Sequence, residues 1–220
     1  MRDIRELKLR IAKRIIREFR PGDCINLGVG IPTFIPDLLE PEHPFIFQTE
    51  NGLLGMGPTP SKGKEDWDLL NASKRPITLQ KGSVFFDSVE SFAMIRGGHI
   101  DLAVLGALQV NQEGQVANWM IPDAPVLGVG GAMDLLAGAK KVIIAMTHVD
   151  KADKTKLVQH LEYPISSIRP VDLIVTDIAV FEIVSGHMIL KELTERMSIE
   201  DLRRITDAKF EIADRVHVYD

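Results

Sequence analysis

Apolar residues Ile4, Leu7, Ile11, Ile15 and Phe19 recur every three or four positions, the spacing of one helix face. Pro21 closes that segment. Cys24-Ile25-Asn26-Leu27 then reads as a short strand running into Gly28-Val29-Gly30. Pro32 suits the first turn of a following helix, with Ile35, Leu38 and Leu39 facing inward. Phe45 to Thr49 reads as a second strand, followed by the glycine-rich stretch Glu50 to Pro58. Residues 58–76 are polar and punctuated by proline, which predicts a long loop. Asp87-Ser88-Val89-Glu90 has the capping-box pattern and opens a helix that stops at Gly97-Gly98. Ile100 to Leu105 is a third strand, and Asn111 to Gly114 a turn. Gly128 to Gly131 precedes another helix, and Val142 to Met146 is a fourth strand. Val171 to Thr176 and Ala179 to Val184 follow, with Ser185-Gly186 as a hairpin turn, and Ser198 caps a last helix with Asp201.

Strands alternate with helices for most of the length, and the strand runs are nearly all apolar. That order predicts an α/β fold: a mostly parallel sheet covered on both faces. The hairpin at Ser185-Gly186 predicts an antiparallel addition near the C-terminus. No repeat, low-complexity tract or linker divides residues 1–220, so the expectation is one domain. With 45% hydrophobic and 26% charged residues, the composition is that of an ordinary globular chain. The net charge of −5 argues against a general nucleic-acid binder. The single cysteine, Cys24, excludes an internal disulfide framework and suits a cytoplasmic location. No apolar run approaches the ~20 residues that span a bilayer, and the N-terminus has no signal-peptide core.

Candidate chemistry gathers at three glycine-rich strand ends: Asn26 to Gly30, Glu50 to Gly57, and Gly128 to Gly131. In open α/β sheets ligands bind beyond the carboxyl ends of the strands, where glycine lets backbone amides approach closely. Each segment alone could be a tight turn; three together favour a shared site. A dinucleotide site is the competing reading. Gly28-x-Gly30 follows a strand, and Glu50 lies 20 residues beyond Gly30, where a ribose-binding acid belongs. Thr33 at the third glycine position and the second glycine loop after Glu50 speak against it. The six histidines are scattered without metal-ligand spacing, so no metal is expected. His99 reads as structural, and Asp134 as a helix cap or a brace for Gly130-Gly131.

Three blocks carry a family resemblance: Ile25-Asn26-Leu27-Gly28-Val29-Gly30-Ile31-Pro32, Thr49-Glu50-Asn51-Gly52-Leu53-Leu54-Gly55-Met56-Gly57, and Gly130-Gly131-Ala132-Met133-Asp134-Leu135. They resemble the B (beta) subunit of family I coenzyme A transferases of the 3-oxoacid type. Ser91 to His99, Leu105 to Val110, Ala117 to Pro122 and Lys141 to Met146 extend the likeness over nearly the whole chain. The resemblance implies a three-layer α/β/α fold and a separate A subunit in an α₂β₂ assembly. It also implies acyl-CoA and carboxylic acid substrates, with no tightly bound cofactor. Glu50 is then the nucleophile. Asn26 and the Gly131 N–H stabilise the oxyanion, and Asn51, Lys74, Gly130, Ala132 and Met133 meet CoA or substrate. Lys74 with Arg75 has a plain alternative as a solvated basic loop. Two departures stand out: Thr49 replaces the family's serine, and Asn71-Ala72-Ser73-Lys74 lacks its usual glycine. Lys151 to Arg169 is also less typical. CoA-ester hydrolysis is the related alternative, since it needs only that water reach the acylated glutamate.

Overall fold

The computed structural model describes residues 4–71, 73–123 and 128–219. Helix α1 (Ile4–Ile16) leads into β1 (Cys24–Leu27), two short 3-10 turns (Ile31–Phe34 and Pro36–Leu38) and β2 (Ile46–Thr49). Strands β3 (Leu53–Met56) and β4 (Leu79–Phe85) precede α2 (Ser88–Arg96) and β5 (Leu102–Leu105). Next come β6 (Gln109–Asn111), β7 (Val116–Ala117), α3 (Ala132–Gly138), β8 (Lys141–Ala145) and β9 (Leu157–Val158). The chain ends with β10 (Leu173–Val175), β11 (Ala179–Val184), β12 (His187–Leu193), α4 (Ile199–Arg204) and β13 (Glu211–Val218).

One sheet runs in the order β13-β12-β11-β10-β8-β5-β1-β2-β3-β4, and a small second sheet joins β7, β6 and β9. The centre, from β10 to β2, is parallel throughout. Strict alternation along its strands divides the core between two faces. Leu102 and Val104 join Ile11, Ile15, Ile25 and Phe47 under α1, while Ala103 and Leu105 join Ile95, Leu135 and Leu136 under α2 and α3. Helices on both faces make this the three-layer α/β/α arrangement. The predicted hairpin is β11–β12, with Ser185 (φ 51°) and Gly186 (φ 80°) both left-handed at the turn. Both predicted caps form: Asp87 accepts from the Glu90 N–H at 2.9 Å, and Ser198 from the Asp201 N–H at 3.0 Å.

The small second sheet, strand β4 and strand β13, which pairs in parallel with β12, have no counterpart in the sequence expectation, and two departures lie beside the glycine-rich strand ends. The helix at Pro32 is a pair of 3-10 turns. Pro36 has no N–H to bond the Pro32 carbonyl, so Ile35 N–H takes that carbonyl at 3.0 Å and tightens the turn. The glycine-rich stretch after Glu50 is not all loop. It holds β3, and β3 and β4 form a second antiparallel addition on the opposite edge from the predicted one. Gly55, at φ 87° with Ser83 Cα 3.1 Å from where its Cβ would sit, marks an irregularity in the β3–β4 register.

His148 is buried, with its ring between the Thr176 and Thr206 hydroxyls at 3.3 and 2.9 Å. Burial pushes its pKa down to about 4. The folded value lies below the unfolded value of ~6.5. The stabilising neutral form is therefore fully favoured above pH ~6.5, and stability is lost as pH falls toward 4. The cost by pH 4 is on the order of 3 kcal/mol. An NMR titration of labelled histidine is expected to keep the His148 ring neutral at pH 5. A ring that protonates near 6.5 contradicts this.

Candidate active site

The site is built where β1 and β2 end side by side. Their pairing sets Asn26 opposite Gln48, so both polar side chains share one face of an otherwise apolar pair. Two residues beyond Gln48, the chain leaves β2 at Glu50 and turns back into β3. The turn closes with Gly52 N–H donating to the Thr49 carbonyl at 3.0 Å. Gly52 has φ 114°, and a Cβ there would sit 2.0 Å from the Phe86 oxygen, so only glycine fits.

Glu50 is half-buried, and its carboxylate lies 3.4 Å from the Asn26 Nδ2. The same amide donates to Gln48 Oε1 at 2.6 Å and approaches the Gln48 carbonyl at 3.3 Å. Gly131 closes the other side: a Cβ at that position would lie 3.5 Å from Glu50 Cγ and 3.3 Å from the Phe92 ring. Gly131 is the N-cap of α3. Its carbonyl accepts from Leu135 N–H at 3.0 Å, while its own N–H precedes the first helical turn. Thus Glu50, Asn26 and Gly131, from three separate segments, meet at one point. Among the described residues, two buried side-chain polar atoms lack a partner: Oδ1 of Asn26, the far side of the amide that approaches Glu50, and Oγ1 of Thr49, the residue before Glu50 in the chain.

The remaining sequence candidates lie around this centre. Asn51 is exposed and donates to the Leu70 carbonyl at 3.2 Å, tying the strand-end turn to the 58–76 segment. Asn71 Oδ1 accepts from the N–H groups of Ser73 (2.9 Å) and Arg75 (3.2 Å), which folds the chain into a tight turn. Lys74 sits exposed on that turn at φ 55°, and Gly30 N–H donates to the neighbouring Ser73 hydroxyl at 3.4 Å. The basic turn therefore borders the first glycine loop. Ala72, part of the same motif, lies outside the described residues. Gly130 (φ 54°) is exposed ahead of Gly131, and Ala132 and Met133 open α3, both half-buried.

Asp134 is neither a cap nor a brace for the glycines. Its carboxylate bonds Arg96 at 2.7 Å and ties α3 to α2. The dinucleotide reading also fails on geometry. After Gly30 the chain enters a 3-10 turn, not the α-helix whose N-terminus holds a pyrophosphate. His99 is exposed, and among the described residues no group of three His, Cys, Asp or Glu could hold a metal. Gln48, Ser91 and Phe92 join the site without having stood out in the sequence. Gln48 leaves a signal, a polar residue inside an apolar strand two positions before the glutamate; Ser91 and Phe92 lie about 40 residues away and leave none.

A strand-end carboxylate thus lies beside an amide donor and a helix-capping glycine on an open three-layer sheet. The chain belongs to the coenzyme A transferase family, whose profile matches residues 8–204, and is accordingly a CoA-transferase. It is 45% identical over 213 residues to the B subunit of a probable succinyl-CoA:3-ketoacid coenzyme A transferase of Bacillus subtilis, covering 97% of this chain and 99% of that one. It is 46% identical over 202 residues to the B subunit of the succinyl-CoA:3-ketoacid coenzyme A transferase of Helicobacter pylori, covering 92% and 97%. The beta chain of the acetate CoA-transferase of Escherichia coli is 43% identical over 208 residues, covering 94% and 95%. Among solved structures, an acyl-CoA transferase of Escherichia coli O157:H7 superposes with a TM-score of 0.79 at 22% identity, covering 97% of this chain and 43% of that longer one. The decarboxylase AibA/AibB shares the fold at a TM-score of 0.73 and 18% identity, covering 97% and 88%, so the fold alone does not set the reaction. Among the described residues no helix is long and apolar enough to cross a membrane.

Proposed function

We propose that this chain is the nucleophile-carrying B subunit of a cytoplasmic CoA-transferase. It moves CoA from an acyl-CoA, such as succinyl-CoA, to a 3-oxoacid such as acetoacetate. The observation that carries the reading is the meeting of Glu50 with Asn26 Nδ2 at 3.4 Å and with Gly131. The names of the relatives support the substrate class and a separate A subunit; the assembly proposed is α₂β₂.

The Glu50 carboxylate attacks the thioester carbonyl. The C–S bond breaks, leaving an acyl–glutamyl anhydride and CoA thiolate. The thiolate then attacks the Glu50 carbonyl, expels the donor acid as carboxylate and leaves a glutamyl-CoA thioester. The acceptor acid attacks that thioester and the steps run in reverse. Each tetrahedral intermediate carries an oxyanion. The Asn26 side-chain N–H and the Gly131 backbone N–H supply donors, each worth about 3–4 kcal/mol in a dry site. Exclusion of water from the anhydride is what separates transfer from hydrolysis. No bound cofactor enters any step.

Initial rates of the chain assembled with an A-type subunit test the reading. Varying acyl-CoA at several fixed acetoacetate concentrations is expected to give parallel double-reciprocal lines. Intersecting lines, or release of free acid without transfer, contradict it.

Lys74 and Arg75, exposed on the turn beside the first glycine loop, meet the phosphates of CoA. Lys74→Ala is expected to raise KM for acyl-CoA severalfold with little change in kcat, because a phosphate contact binds ground and transition states alike. A fall in kcat at constant KM would remove Lys74 from this role.

A further inference from the structure

Behind Asn26 runs a buried polar chain that no step above uses. We infer that Gln48, held by Ser91, is a positioning residue that turns the Asn26 amide so that an N–H faces the reacting carbonyl. This rests on the reading of Asn26 as an oxyanion donor.

Asn26, Gln48 and Ser91 are 0%, 1% and 0% exposed, so water cannot orient them. The Asn26 edge near Glu50 faces acceptors only: the Glu50 carboxylate at 3.4 Å, the Gln48 backbone carbonyl at 3.3 Å and Gln48 Oε1 at 2.6 Å. That edge must be the NH₂ group. Gln48 must then present its oxygen to Asn26, which leaves its own NH₂ for Ser91. The Gln48 Nε2 to Ser91 Oγ distance of 2.8 Å fits that assignment. A reversed Gln48 would set two donors against each other at 2.6 Å.

The distances also divide the labour of the amide. One Asn26 N–H is taken by Gln48 Oε1 at 2.6 Å. The other has only the 3.3 and 3.4 Å contacts, beyond the usual N–H···O range of about 2.7–3.2 Å. It is fixed in direction but weakly engaged. An N–H in that condition exchanges a poor acceptor for an oxyanion at little cost, which is the preorganisation that electrostatic catalysis requires. Ser91 lies on α2, whose Phe92 lies against Gly131. One helix thus fixes the orientation of one proposed donor and touches the residue that carries the other.

Gln48→Met keeps the length and removes the acceptor. In the enzyme assembled with its A-type subunit it is expected to lower kcat roughly tenfold to a hundredfold, less than the ~10²–10³ lost with an oxyanion donor itself. KM for acyl-CoA should stay within about twofold. In an Asn26→Ala background, Gln48→Met should cost nothing further, because Gln48 acts only through that amide. Ser91→Ala, a gentler change, should lower kcat in the same direction with KM held, and guards against misfolding of the first variant. Asn26→Ala reduced in kcat but Gln48→Met and Ser91→Ala at wild-type kcat overturns the inference and leaves the oxyanion reading standing. Losses that multiply in the double variant also overturn it. Asn26→Ala at wild-type kcat overturns the oxyanion reading and the inference with it.

Discussion

Glu50→Ala is expected to abolish CoA transfer by the assembled enzyme while leaving the fold unchanged. Removing a covalent nucleophile costs on the order of 10⁶-fold where the effect has been isolated. Among the described residues no other carboxylate contacts the Asn26 amide. The structural cost is small by comparison. Glu50 is half-buried, and its contact with Asn26 at 3.4 Å is long for a hydrogen bond. Its removal should therefore shift stability by no more than about 1 kcal/mol. Glu50→Asp withdraws the carboxylate by roughly 1.5 Å, one C–C bond. A misplacement of that size costs about 10²-fold or more, because the attack depends on near-contact geometry. Steady-state rates together with thermal melts check both variants. Substantial turnover by Glu50→Ala at unchanged Tm contradicts the nucleophile assignment.

The second large effect is on stability. Gly52→Ala should lower Tm on the order of 10 °C and reduce activity with it. Two costs add. A non-glycine residue at φ 114° carries about 1–3 kcal/mol of backbone strain. The new Cβ would also sit 2.0 Å from the Phe86 oxygen, so the chain must move where Phe86 N–H donates to the Gly52 carbonyl at 3.0 Å. For a chain of this size each kcal/mol is worth about 2–4 °C. Because the same turn carries Glu50, the displacement also moves the nucleophile. Gly22→Ala separates the two costs: Gly22 has φ 88° but nothing within 4 Å of its missing Cβ, so only the strain remains. Its melting point should therefore fall by less than that of Gly52→Ala. Equal losses in the two variants would mean that the Phe86 contact contributes nothing.

The legible parts of the sequence were those where one local force decides. The central parallel strands are apolar on both faces at most positions, with Asn26 and Gln48 among the exceptions, so burial marks them. The caps at Asp87 and Ser198 and the Ser185-Gly186 turn follow from single side chains or backbone preferences. The parts that were not legible depend on neighbours distant in sequence. The β3 segment carries Gly55 and Gly57 because Ser83 and Thr78 of the adjoining segment crowd them, and glycine in isolation reads as loop. Strand β4 is a largely exposed edge strand whose first residues, Leu79-Gln80-Lys81-Gly82-Ser83, are mostly polar. The helix after Pro32 was cut short by Pro36, whose effect on the i→i−4 bond is plain only once the start of the turn is fixed. In the site itself, Glu50, Asn26 and Gly131 stood out by motif. Gln48 and Ser91 did not, since a buried polar pair 43 residues apart is a product of the fold. Asp134 could not be resolved either: its partner, Arg96, lies on another helix.

In the proposed mechanism Glu50 becomes covalently linked to CoA. The assembled enzyme is incubated with acyl-CoA and no acceptor, then treated with borohydride, which reduces a glutamyl thioester to the alcohol. Peptide mass mapping should find the change on the fragment containing Thr49-Glu50-Asn51, with one oxygen lost and two hydrogens gained, in step with loss of activity. An unmodified Glu50 peptide, with the reduction found on another carboxylate or on none while transfer activity persists, would contradict a covalent role for Glu50.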